Sequence, residues 1–352
     1  MKLKKTTVIG DAIEDRESGW QGHIEFVDWI DEEHILYCNQ SGWVTCRHLE
    51  SQTDLWKHQI EFKYAKFSLC RDKRVFAMLV SLRTPEVSKD QIAIIDCDSG
   101  EFLAKWDGSA LSDLLDADHA LPTSIALAPV SGKLFVTLFS RTFGSNGYIV
   151  GSDYKRVEGR FEADHYVHDI SVSPSEDRVA MRADKSLVSV LDLPANDWLY
   201  LEGDRIYKER LSEEGDTGPG ISQVFHDGQD LLVIGHDGLN GTIYVHSLLN
   251  GTVEEFGGTS FHDRRDVDFK NQRIAITGLG KDVSIRSFDG KELAYLPDVT
   301  LQQNSCIKLS PLLERLVVGS WDNTVSIYEI SLEEDPNGPS WYRNFDADIE
   351  VE

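Results

Sequence analysis

One pattern recurs seven times along the chain, and it limits the possible folds more than any single residue does. Its plainest copy is LVVGSWDNTVSIYEI, from Leu316 to Ile330. Two apolar runs of strand period flank a turn of Gly, Asp and Asn, the signature of a β-hairpin. Earlier copies are HILYCNQSGWVTCRHL from His34, VFAMLVSL…QIAIIDCDSG from Val75 and KLFVTLFS…GYIVGSDYK from Lys133. RVAMRADKSLVSVLDL from Arg178, DLLVIGHDGLNGTIYVHSL from Asp230 and RIAITGLGKDVSIRSFDG from Arg273 complete the set. A repeat of this kind is one supersecondary unit stacked many times over a shared core.

Each hairpin follows a short apolar segment that ends in a polar break. The last apolar residues before the breaks are Trp29, Leu69, Leu127, Val172, Phe225, Phe269 and Leu309. Their spacing of about 40 residues and upward suits four strands per unit. A tight turn such as DSG, LNG or FDG then leads to a fourth strand in most units. Seven such units predict an all-β, seven-bladed β-propeller with four-stranded antiparallel blades. The last unit lacks a fourth strand, because Ile330 runs into SLEEDPNGPSW. Leu3–Ile9 alternates correctly and is expected to supply that strand and close the ring, hiding an edge that would otherwise invite aggregation. The expected blades span about 20–60, 61–108, 119–163, 164–203, 218–258, 259–299 and 300–330 with 2–9. Residues 1–330 thus form one domain, followed by an acidic tail at 331–352.

The repeat resembles that of the WD-repeat β-propellers from about Gly22 to Ile330. The nearest match is Gly319-Ser320-Trp321-Asp322-Asn323-Thr324-Val325, with Tyr328 where that family usually has Trp. The resemblance implies that Gly22-His23 and the turn residue Asp322 join a buried hydrogen-bond network. The other units have diverged from this pattern.

Composition narrows the function. Sixty acidic residues against 35 basic ones give a net charge of −25, which argues against nucleic acid and anionic membranes as partners. No apolar run reaches the roughly 18 residues of a membrane helix. The start, MKLKKTTVIGDAIEDRESG, has no apolar leader segment. Cys38, Cys46, Cys70, Cys97 and Cys306 are odd in number, with no Cys-x-x-Cys pair. A reduced, cytoplasmic protein is the expectation, and a monomer.

With the four strands of each blade lettered a to d in chain order, the a–b and c–d turns of a propeller emerge on one face, here the bottom. The b–c and d–a connections emerge on the other, the top. The long insertions all fall in top connections: Arg83–Asp90 and Arg141–Gly147 as b–c loops, Asp107–Leu121 and Gly203–Gly220 as d–a loops. Loops on a rigid scaffold carry recognition, and aromatics with Arg dominate binding hot spots. Arg83, Arg141, Phe143, Tyr207, Arg210 and Trp321 are therefore the expected contacts for a protein or peptide partner. The acidic surface favours a basic one.

Chemistry is scarce. There is no Gly-x-Ser-x-Gly elbow, His-Glu-x-x-His or phosphate loop. The first expectation is a non-catalytic interaction scaffold that needs no cofactor. The runner-up is a hydrolase or lactonase holding a divalent metal at the channel mouth through His168, Asp169, Asp266 and Asn304, with His23 and His119 nearby.

Overall fold

The computed structural model describes residues 2–10, 23–83, 88–116, 121–140, 144–163, 166–183, 188–200, 220–227, 231–237, 243–256, 264–277, 282–297 and 304–331. Strand β1 (Lys2–Ile9) comes first. The next eight are β2 (Ile24–Trp29), β3 (His34–Asn39), β4 (Trp43–His48), β5 (Thr53–Gln59), β6 (Tyr64–Cys70), β7 (Val75–Arg83), β8 (Ser88–Asp96) and β9 (Phe102–Asp107). Helix α1 (Gly108–Leu115) precedes β10 (Leu121–Leu127), β11 (Leu134–Ser140), β12 (Gly144–Val150) and β13 (Val157–Ala163). Then follow β14 (Val167–Val172), β15 (Arg178–Ala183), β16 (Val188–Asp192), β17 (Asp197–Tyr200), β18 (Gly220–His226), β19 (Leu231–Asp237), β20 (Ile243–Ser247) and β21 (Val253–Phe256). The last are β22 (Arg264–Asp268), β23 (Arg273–Thr277), β24 (Val283–Ser287), β25 (Glu292–Leu296), β26 (Asn304–Leu309), β27 (Arg315–Ser320) and β28 (Val325–Ser331).

Among the described residues these strands make seven four-stranded sheets. Six run in simple chain order, from β2-β3-β4-β5 to β22-β23-β24-β25. The seventh is β1-β28-β27-β26. In it β1 lies antiparallel to β28, from Lys2 opposite Ser331 to Ile9 opposite Val325, with one bulge between Lys5 and Thr7. Order within a sheet follows from short antiparallel connections, which favour sequential strands as neighbours.

The core lies between sheets, because a strand with both faces covered must find apolar partners on each side. Cys38, Cys46 and Trp56 of the first blade pack with Phe76, Met78 and Ile95 of the second. Val75, Leu79 and Ile94 of the second meet Ile125, Leu134 and Val136 of the third. Phe135 and Phe161 then meet Ile170, Val179 and Met181 of the fourth. Ile243 and Val245 pack against Ile274 and Ile276, and Ala275 and Ile285 against Ile307 and Leu316. The first and last sheets also touch: Ile24, Val27, Trp29 and Ile35 share a cluster with Ile9, Val317, Val325 and Ile327.

Two of the expected b–c loops are instead mostly strand. Pairing of β7 with β8 continues through Leu82 opposite Lys89 to Arg83 opposite Ser88, leaving only 84–87 between them. Gly144–Gly147 lies in β12, hydrogen-bonded to β11 on one side, with Ser145–Gly147 also paired to β13. Ladder pairing on both flanks overrides the turn-like composition GSNG. Gly147 has a packing reason: a Cβ there would sit 2.1 Å from the Phe161 ring. Helix α1 follows β9 directly, inside the connection at Asp107–Leu121. Asp107 caps it, accepting from Ala110 N at 3.1 Å, and Leu111 and Leu115 are buried.

Cys38 stands opposite Val44 and Cys46 opposite Leu36, so these two thiols do not face each other across their hairpin. All five cysteines are free.

Candidate functional site

The inner strands β2, β6, β10, β14, β18, β22 and β26 run from the top to the bottom around the axis. Their apolar side chains fill the gaps between blades, while polar ones hand hydrogen bonds to the next blade. Ser68 Oγ accepts from Leu127 N at 2.8 Å, and Asp266 Oδ2 from Leu309 N at 2.8 Å. Where the last and first blades meet, Trp29 is fully buried and its Nε1 donates to Lys308 O at 3.1 Å. The next blade completes this chain: Arg71 donates through Nε to Trp29 O at 2.9 Å and through a terminal nitrogen to Asp28 Oδ1 at 2.7 Å.

These bonds belong to a charged cluster about the axis. Lys308 Nζ lies 2.9 Å from Asp266 Oδ1. Burial alone would lower the Lys308 pKa, but Asp266 and Asp28 outweigh it and hold the amine above its ordinary value. Arg71 is raised in the same way, with Asp28 as its main partner against desolvation. A second group sits beside β14. Asp169 stands opposite Arg182 in register, and Lys66 Nζ donates to the carbonyl of His168, spanning from the second blade to the fourth. Burial lowers the Lys66 pKa to about 8, with Asp169 opposing and Arg182 assisting. Burial likewise raises that of Asp169 against the pull of Lys66 and Arg182.

The top rim above this group is aromatic. Tyr64 is two residues before Lys66, hence on the same strand face, and is 64% exposed. The Tyr166 ring lies 5.3 Å from Phe139 and 5.0 Å from His168. At the junction of the last and first blades, Trp321 is half-buried and its ring lies 5.7 Å from that of His23. His23 pairs with Glu25 at 2.8 Å, and Asn39 Nδ2 donates to Asn323 Oδ1 at 3.2 Å, tying the two b–c turns together. Asp322 is buried and accepts from Thr324 N at 3.0 Å and from the Thr324 hydroxyl.

The bottom face is different in kind. Its turns are short and spend their polar groups on each other. Glu176 of the fourth blade accepts from Val130 N at 2.7 Å and Ser131 N at 2.6 Å of the third. Glu32 of the first accepts from Leu312 N at 2.7 Å of the last. Arg74 bridges Asp31 and Asp98, at 2.6 Å each.

Of the expected partner contacts, Trp321 is at the top as placed, and Arg83 ends β7 at that face. Arg141, Phe143, Tyr207 and Arg210 lie outside the described residues, as does His119. The runner-up metal set does not come together as a set. Asp266 is engaged with Lys308 and Leu309. Asn304 donates to Thr277 Oγ1 at 2.6 Å and Asp282 O at 3.3 Å. Among the described residues no three His, Cys, Asp or Glu side chains form a group suited to a metal ion. Lys66, Arg182, Tyr64 and Tyr166 were not singled out from the sequence. Lys66 carried the clearest signal, a charge inside the apolar run YAKFSL of an inner strand.

No known family profile matches the sequence, and no curated protein matches it. Among solved structures, the crystal structure of Raptor from Chaetomium thermophilum, a WD40 β-propeller protein, superposes with a TM-score of 0.68 at 15% identity. The match covers 95% of this chain and 29% of that one. The fold is a WD-repeat-like β-propeller. The chain spans under a third of the Raptor chain, so the likeness concerns architecture alone. As many as 1617 solved chains share this likeness, far too many for the fold to specify a function. No helix among the described residues is long and apolar enough to cross a membrane.

Proposed function

We propose that the chain is a non-catalytic scaffold, a seven-bladed propeller closed by its N-terminal strand, which binds a protein or peptide through its top face. The observation that carries this reading is the asymmetry between faces. Bottom turns satisfy one another across blades, whereas the top holds the connection that begins with α1 and half-buried aromatics at its rim. A cytoplasmic monomer with a basic or neutral partner fits the net charge of −25.

The test is a pull-down from the native host with three baits. The unaltered chain should recover a partner that Trp321→Ala combined with Arg141→Ala loses, since one good hot spot contributes about 2 kcal/mol or more. Leu312→Ala, on the bottom, should retain it. Equal recovery by the double variant, or cross-links confined to the bottom turns, would refute the top-face reading. For a basic partner, association should slow as salt is raised from 50 to 500 mM, roughly the range over which the Debye length falls well below 10 Å.

A further inference from the structure

We propose that Asn250, in the turn between β20 and β21 of the fifth blade, is a site of spontaneous covalent modification. Its side-chain amide is lost to attack by the backbone of Gly251, and the residue ages to aspartate and isoaspartate. This goes beyond the scaffold reading and does not depend on it.

An asparagine followed by glycine carries the reacting groups side by side. The Gly251 backbone nitrogen, once its proton is taken by hydroxide or a buffer base, attacks the Asn250 side-chain carbonyl carbon. A C–N bond forms there, the bond to the amide nitrogen breaks, and that nitrogen takes a proton from water and leaves as ammonia. Water then opens the resulting five-membered succinimide at one of its two carbonyls. One opening gives aspartate; the other gives isoaspartate, whose main chain runs through the former side chain. Asparagine plus water thus becomes aspartate or isoaspartate plus ammonia, with no oxidant or cofactor. Glycine favours the closure because it has no Cβ to obstruct the ring and few barred backbone angles.

The sequence holds this dipeptide four times, at Asn146, Asn240, Asn250 and Asn337. Asn240-Gly241 and Asn337-Gly338 lie outside the described residues. The two that are described stand in opposite settings. Asn146-Gly147 is in the middle of β12, opposite Leu138 and Thr137 of β11 and Glu162 and Phe161 of β13. The position a Gly147 Cβ would take is filled by the Phe161 ring, at 2.1 Å. Bending this segment into a small ring requires both ladders to part.

Asn250 and Gly251 are exposed at a turn tip, next to Leu249 at 81% exposure. Nothing lies within 4 Å of the position a Gly251 Cβ would take. Local bonds oppose the reaction: Gly251 N donates to Ser247 O at 2.9 Å, and Asn250 N to Ser247 Oγ at 3.2 Å. Exposed turn tips open at far lower free energy than paired strands do. The corresponding turn of the sixth blade holds Asp289-Gly290, which could reach the same ring with water as leaving group. Bonds from the Ser287 hydroxyl and the Lys291 amide hold its carboxyl below the ordinary range and ionised, and a carboxylate anion is a poor electrophile.

The test holds the full chain at mildly alkaline pH and physiological temperature, digests it, and reads it by mass spectrometry. Electron-transfer fragmentation locates the mass gain and separates isoaspartate from aspartate. Asn250 should convert at least about tenfold faster than Asn146, the ratio that a difference of about 1.4 kcal/mol in opening free energy gives. In urea that unfolds the chain the two rates should converge, since both residues then lose their settings. Asn250→Gln should remove the change at that position and leave the Asn146 rate as it was. Equal rates in the folded chain would overturn the proposal. So would an Asn250 that stays intact while the unfolded chain reacts, because the Ser247 bonds would then hold the turn shut. The same ratio in urea would overturn it as well, since flanking residues rather than the fold would then select the site. None of these readouts involves a partner, so each failure leaves the scaffold reading where it stands.

Discussion

The two faces of the propeller share one set of strands but use their polar groups in opposite ways. On the bottom, acids in the a–b turns reach to the neighbouring blade: Glu176 and Glu32 take up backbone amides, and Asp31 holds Arg74 and His34. Those bonds are satisfied within the chain, and the exposed side chains left in the bottom turns include the apolar Val130, Leu249 and Leu312. On the top, comparable side chains gather at two places, the junction of first and last blades and the ring contacts of Phe139, Tyr166 and His168. Ring contacts and a crowded charge cluster there leave aromatic surface half-exposed. One set of turns thus ties neighbouring blades together, while connections on the other face are where length and composition can vary.

The largest test of that division is at the junction. β1 supplies the outer strand of the last sheet, and Ile9 is buried with Val317, Val325 and Ile327. Deletion of residues 1–9 should bare the β28 edge and cause aggregation or a fall in melting temperature of many degrees. An unaltered melt and a monodisperse elution profile would show that the blades hold the ring without this strand. Trp29→Ala attacks the same junction from inside. It removes a fully buried indole and the bond to Lys308 O, with an expected cost of about 3–5 kcal/mol in denaturant melts.

Much of the architecture was legible because it depends on period. Two-residue alternation and evenly spaced turns locate strands wherever both ladder partners obey the same pattern, and the pairing of Leu3–Ile9 with the end of the chain followed from a missing strand. The extended hairpins were not legible. RTPEVSKD and RTFGSNG carry loop-like residues, yet cross-strand bonds from Val75 to Asp96 and from Leu134 to Val150 propagate through Leu82 and Ser145 regardless. Local propensity lost to ladder continuity. Site residues fared worse for a different reason. Lys66, His168 and Asp169 belong to strands about a hundred residues apart, and only the packing of separate sheets brings them together.

Smaller effects should separate the faces further. Asp322→Ala leaves Thr324 N and its hydroxyl without their acceptor inside a buried top turn, at a cost of about 1–3 kcal/mol. A neutral result in denaturant melts would mean that this turn does not depend on the carboxylate. On the bottom, Glu176→Ala removes the acceptor of two amides in a more exposed setting, so about 1 kcal/mol is expected. Acid should act there too. Burial raises the Asp31 pKa, but bonds from Arg74, His34 and the Glu33 amide overcome it and bring the value to about 2. A carboxylate depressed in the folded state stabilises it above its ordinary pKa near 3.8 and loses that contribution as pH falls toward 2. Asp98 also pairs with Arg74, and Glu33 and His48 face the His34 side of the same group. Asp31→Asn should therefore flatten stability between pH 4 and 2 relative to the unaltered chain.

The smallest expected effect has the opposite sign. Bottom a–b turns end in a left-handed residue: Gly132 in the third blade at φ 72°, but Glu176, Gln272 and Leu313 elsewhere at 62°, 52° and 62°. An L-residue with a Cβ pays roughly 1 kcal/mol for that conformation, and glycine does not. At Glu176 the side chain returns the cost through its two amide bonds, and Leu313 packs against the cluster of the last blade. Gln272 is exposed and shows neither compensation, while its own N–H already closes the turn onto Phe269 O. Gln272→Gly should thus stabilise the chain by up to about 1 kcal/mol, less the entropy that glycine adds to the unfolded state. The backbone of the bottom turn would stay as it is. A loss of stability on this substitution would mean that Gln272 makes a contribution at this turn beyond its backbone, and that the bottom face is less uniform than its bonds imply.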